Sequence, residues 1–142
     1  MNKILIALSL LVSLSGNSFA WTIIDIVSDY ENDQIAYNSY YDRDNIKRDG
    51  NEIWVWTSMN IFFDGKNKFK GAKSQLYYWQ YDCKEKRQNL HKVVTYSKHD
   101  LLGEVLKRYD YEGGYKWSYI IPNSVGDKLL KICLLYTSDA AD

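Results

Sequence analysis

The stretch QIAYNSYYDRDNIKRDGNEIWVWTSMNI, residues 34–61, constrains the fold more than any other part of the chain. Asp49-Gly50-Asn51 is a tight-turn signal between two runs rich in aromatic and β-branched residues, which predicts a β-hairpin. Its second arm alternates: Trp54, Trp56 and Ser58 point one way, and Ile53, Val55, Thr57 and Met59 the other. A strand apolar on both faces is expected at the centre of a sheet that is covered on each side. Two tryptophans two residues apart also match a sugar-stacking platform, but packing is the expected role of Trp56 and its neighbour.

The remaining segments extend this hairpin. WTIIDIVSD reads as a first strand, and SQLYYWQYDC as another with Tyr77, Trp79, Tyr81 and Cys83 on one face. EKRQNLHKVVTYS and DLLGEVLKRYDY follow with a turn near His99-Asp100, and GGYKWSYII supplies a short last strand. Gly103 and the tyrosine-rich exit favour strand over helix in the second of these. Thirteen tyrosines and five tryptophans against one proline suit strands built from amphipathic aromatics. Ser124 is placed as an N-cap with Asp127 three residues on, the spacing of a capping box. In the helix that follows, Leu129, Leu130 and Cys133 are expected to share a face. The predicted fold class is α+β: a meandering antiparallel sheet of about six strands with a C-terminal helix.

Both ends of the chain read differently. MNKILIALSLLVSLSGNSFA has a lysine, an apolar run too short to span a bilayer, and a small-x-small site at Ser18-Phe19-Ala20. Residues 1–20 are therefore expected to be a secretory signal peptide, with the domain occupying residues 21–133. No cysteine near the cleavage site supplies a lipid-anchor signal, and no later segment is apolar enough to be a membrane span. Back-translated, CLLYTSDAAD matches a sequencing-library adapter, so residues 134–142 read as adapter read-through, and Cys133 itself sits at the boundary. Two cysteines in an exported chain are most simply a disulfide, and Cys83 with Cys133 would tie helix to sheet. The other reading is a free Cys83 beside an adapter-derived Cys133.

Signals for catalysis are weak. The 18 basic and 18 acidic residues balance, which gives no reason to expect nucleic acid as a partner. His91 and His99 have no metal-ligand spacing and read as a cross-strand residue and a turn residue. Asp42-Arg43-Asp44 fails as a calcium loop, because Lys47 and Ile53 stand where the EF-hand needs Gly and Glu. A solvated hairpin edge is the expected setting for Asp42. With no phosphate loop and no nucleophile motif, no enzyme activity, cofactor or metal is expected.

YYDRDNIKRDGNEIWVW, then YDC, then W…IIPNSVGDKLLKIC resembles the bacterial surface-adhesin E family. The pattern falls on Tyr40 or Tyr41, Asp42 and Ile46 in the hairpin arm, with Trp56 beyond the turn. It continues on Trp117 near the last strand and on Pro122 and Ser124 at the helix start. The resemblance implies a cysteine pair on Cys83 and Cys133, which favours Cys133 as native. It further implies a cell-envelope protein that attaches bacteria to host extracellular-matrix or plasma proteins. The loop carrying Lys66, Lys68, Lys70 and Lys73 is the candidate binding region, a basic tip that would steer acidic partners. Without an anchor cysteine the chain is placed in the periplasm or on the outer surface. The alternative is a soluble periplasmic binding or inhibitor module, and a third reading is a homodimer formed through the aromatic sheet face.

Overall fold

A computed structural model describes residues 20–29, 34–65 and 67–137. The signal-peptide reading for residues 1–19, Lys66 and residues 138–142 lie outside the described residues. The sheet has eight strands rather than about six. They are β1 (Trp21–Asp29), β2 (Gln34–Asp42), β3 (Lys47–Asp49), β4 (Glu52–Ile61), β5 (Ser74–Asp82), β6 (Arg87–Tyr96), β7 (Val105–Asp110) and β8 (Ser118–Tyr119). One α-helix, α1 (Val125–Thr137), follows them among the described residues. Six strands run β1-β2-β4-β5-β6-β7, all antiparallel neighbours, so the meander is as expected.

The two extra strands arise where an edge is shared. β2 and β3 lie end to end along β4, and β7 and β8 do the same along β6. Tyr41 pairs with Thr57 and Lys47 with Trp54, so six steps on one arm face three on the other. A 3-10 turn, Arg43–Asn45, takes up the surplus. The tight turn sits at Gly50, whose φ of 57° is the left-handed conformation that glycine adopts without steric cost.

Asp42 caps that 3-10 turn and is fully buried, not solvated as the sequence suggested. Its carboxylate accepts from the Asp44 N–H at 3.2 Å, the Asn45 amide at 2.5 Å and the Ala20 N–H at 3.1 Å. The short polar side chain closes the loop on itself, which is why a charged residue can leave solvent at a strand end.

α1 packs on one face of the sheet. Ile53 and Val55 of β4, Tyr81 of β5, and Leu129, Ile132 and Cys133 of α1 form the buried cluster. Tyr41, Ile46, Trp79 and Leu130 are partly buried against it. The helix stripe therefore runs through Ile132, while Leu130, expected on the buried face, sits at its margin. Ser124 Oγ accepts the Asp127 N–H at 3.2 Å, and the Asp127 carboxylate accepts the Asn123 N–H at 2.9 Å. The capping box forms, with its return bond displaced one residue upstream. Cys83 and Cys133 are disulfide-bonded, with Cα atoms 5.7 Å apart. The opposite face is half-buried at Trp54 and Trp56 and buried at Ser58 and Asn60, where the turn between β6 and β7 crosses its end. Among the described residues α1 covers the Ile53 face, and Trp54 and Trp56 on the other face are partly exposed.

Asp82, only 8% exposed, closes the β5–β6 turn. It accepts from the Glu85 N–H at 3.0 Å and from the Arg87 guanidinium at 2.9 Å. Burial pushes its carboxyl upward, but these donors together outweigh burial and hold it below the usual carboxylate range. A carboxylate depressed in the folded state stabilises above its unfolded pKa of about 3.9 and loses that contribution as pH falls below it. Thermal unfolding followed from pH 6 to pH 2 should show the wild type losing more stability below pH 4 than Asp82→Asn. Parallel curves would mean that the ion pair contributes nothing.

Candidate functional site

The lysine-bearing loop between β4 and β5 is wound around one carboxylate. Asp64 accepts from the Lys68 N–H at 2.8 Å and the Phe69 N–H at 2.9 Å, and its carbonyl accepts the Asn67 N–H at 3.0 Å. Lys70 and Gly71 then take left-handed conformations, with φ of 49° and 82°. The Ala72 N–H bonds to the Phe69 carbonyl at 3.0 Å, closing the second turn. Winding the loop this way carries Lys68 and Phe69 to the helix side of the sheet.

There they border a cleft of about 400 Å³ between the loop, the sheet and the first residue of α1. Tyr37 of β2, Met59 of β4 and Tyr77 and Trp79 of β5 line it beside Phe69, and Lys68 supplies its cation. Strand alternation explains the set, since Tyr77 and Trp79 share the face of Tyr81, and Met59 that of Val55. The Tyr77 and Trp79 rings stack 5.9 Å apart. Tyr77 donates its hydroxyl proton to Gln75 Oε1, and burial pushes its phenol well above the ordinary value, so it stays neutral. A second hollow of about 360 Å³ adjoins along Thr57, Trp79 and Val125 and continues to the exposed Tyr119 and Ile121. Chemically the groove suits an apolar side chain with an acidic neighbour for Lys68.

The structure separates the lysines that the sequence grouped. Lys68 borders the cleft, whereas Lys73 lines another hollow with Asn67 and Gly71. Lys70 is exposed on its turn and borders neither. Of the other expected motif positions, Tyr41 and Ile46 pack on the core, and the Trp56 ring lies tilted against Tyr78 at 4.5 Å on the opposite face. Trp117 lies 4.7 Å beneath the Arg87 guanidinium, and Pro122 and Ser124 lead into α1. Sequence reasoning missed Phe69, although a lone aromatic inside a lysine-rich loop was a visible signal. It had no means of finding Tyr37 and Met59, which reach the cleft through strand register alone.

The histidines serve the fold: His91 Nε2 meets Gln80 Oε1 at 2.8 Å, and His99 Nε2 meets the Ile61 carbonyl at 2.9 Å. Among the described residues no group of His, Cys, Asp and Glu is placed to hold a metal, and no helix is long and apolar enough to cross a membrane.

Comparison with known proteins agrees with this architecture. Two crystal structures of Haemophilus influenzae protein E superpose with a TM-score of 0.52 each, at 14% and 15% identity. They cover 82% and 84% of this chain and 89% of each protein E chain. Protein E from non-typeable Haemophilus influenzae gives a TM-score of 0.50 at 15% identity, over 82% of this chain and 78% of that one. At such identities the likeness concerns the fold. No curated protein matches the chain. The family model for surface-adhesin protein E, however, matches residues 20–133. On that match the chain belongs to the surface-adhesin protein E family.

Proposed function

We propose that the protein is an exported, non-enzymatic adhesin of the bacterial cell envelope that binds host extracellular-matrix or plasma proteins through its helix-side groove. The observation that carries this reading is the family match across the domain, residues 20–133. The groove supports it: aromatic walls beside a single cation are the residue types that anchor protein partners. Lys68 is the contact the charge argument favours, with Lys70 as an outlying steering charge.

Two measurements test it together. Protease added to intact cells should digest the protein, while a periplasmic control survives until lysis. Lys68→Glu should then weaken binding to immobilised matrix proteins by roughly tenfold, the scale of a lost charge-assisted contact, and flatten the salt dependence of what remains. Protection of the protein until lysis would sink surface adhesion and leave a periplasmic binding module. Digestion with unchanged Lys68→Glu binding would move the contact away from the groove.

A further inference from the structure

On the sheet face opposite α1, the turn between β6 and β7 folds back over the ends of β4 and β5. Asn60, 8% exposed, donates its amide to Asp100 Oδ1 and accepts the Asp100 N–H, both at 2.8 Å. Fully buried Ser74 accepts the Leu101 N–H at 3.0 Å and donates to the Lys98 carbonyl at 2.6 Å. Phe62 stacks on His99 at 4.9 Å beside them. Asp100 and Leu101 are held in successive left-handed conformations, φ 59° and 60°, which non-glycine residues adopt only when surrounding bonds over-determine them.

The result is a preformed cup of about 240 Å³, lined by Trp21, Tyr40, Ser58, Asn60, Asp100 and Leu101. Its indole and phenol walls are apolar, and its only charged lining group is the Asp100 carboxylate. Ser58 is 9% exposed, yet its hydroxyl has no hydrogen-bond partner among the described residues, nor has the Tyr40 hydroxyl. Neither hydroxyl is sealed away from solvent, so both are open to bond a molecule that enters the cup. Asp100 Oδ2 is likewise left to accept, since the Asn60 amide engages Oδ1. The half-buried Trp56, whose ring lies tilted against Tyr78, continues the same face one alternation beyond Ser58.

We propose that this cup is a carbohydrate site that takes one uncharged pyranose ring, with Trp56 and Tyr78 as the platform for the adjoining residue of a glycan. A pyranose has an apolar C–H face and a rim of hydroxyls. Trp21 and Tyr40 match the face; Asp100 Oδ2, Ser58 Oγ and the Tyr40 hydroxyl match the rim. The lone carboxylate disfavours anionic ligands. Three separate hydroxyl or carboxylate groups exceed what a simple aromatic cage for a cation requires. This goes beyond the adhesion reading, because the cup and the Lys68 groove lie on opposite faces of the sheet.

The test titrates the exported chain with methyl glycosides of the common neutral hexoses, N-acetylhexosamines and fucose, read by tryptophan fluorescence and saturation-transfer NMR. At least one glycoside should saturate. Asp100→Asn keeps both bonds to Asn60 and suits a left-handed φ, so it should retain the wild-type melting temperature while weakening binding roughly tenfold. Ser58→Ala should weaken it too, and Lys68→Glu should leave it unchanged, which separates this site from the groove. Saturation by no glycoside overturns the proposal. So does saturation by choline chloride alone, which would make the cup a cation cage. Glycoside binding indifferent to both cup variants overturns it as well.

Discussion

Replacing both Cys83 and Cys133 with alanine should lower the unfolding free energy by about 4 kcal/mol. The bond closes a loop of 50 residues. In the chain-entropy model a loop of that size restrains the unfolded ensemble by roughly 4 kcal/mol, with native strain and residual structure as the usual corrections. For a domain whose net stability is on the order of 5–15 kcal/mol, the loss is a large fraction. The melting temperature should fall by roughly 15–25 °C. Alanine at both positions is the informative change, because Cys133 is 2% exposed in the core and a lone thiol would add its own chemistry. Calorimetry of the double variant beside the oxidised wild type checks the effect. A fall of only a few degrees would mean that helix docking by itself holds α1 on the sheet.

Leu129→Ala is the second large effect, at about 3–5 kcal/mol. Leu129 is 1% exposed and packs among Ile53, Val55, Tyr81 and Ile132. The cost of such a truncation depends on how far the surroundings can collapse into the space. Here the helix is anchored one turn further on by Cys133, so α1 is poorly placed to settle onto the sheet. We expect the upper half of the range with the disulfide intact. In the Cys83→Ala, Cys133→Ala background the same substitution should cost less, because the helix is then free to shift. Urea melts of the four proteins complete the cycle. Equal costs in both backgrounds would show that the disulfide does not restrain repacking.

The groove and the cup divide along the sheet as its alternation dictates. Tyr77, Trp79 and Met59 point to the helix side, while Tyr40, Ser58 and Asn60 point away from it. Charge separates the two sites further, with Lys68 in one and Asp100 in the other. One small sheet therefore offers two surfaces of different chemistry, and substitutions at one are expected to leave the other intact.

Features written in neighbouring residues are legible in the chain itself. The Gly50 turn, the alternation of β4, the shared face of Tyr77, Trp79 and Tyr81, and the Ser124 cap each follow from sterics or periodicity over a few residues. The cysteine pairing is legible too, through residue type and family resemblance. What required the tertiary structure depended on contacts across long separations. Asp42 became buried because a 3-10 turn wraps onto its carboxylate, and no local pattern marks that outcome. The lysines parted because Asp64 winds their loop so that, among the described residues, Lys68 reaches the groove while Lys70 and Lys73 do not. The cup exists because Asp100 bonds to Asn60, 40 residues earlier. Sequence by itself determined the main strands and the helix, since short-range sterics are encoded where they act. The sites were decided by register and loop closure, which bring together residues that carry no mark of each other along the chain.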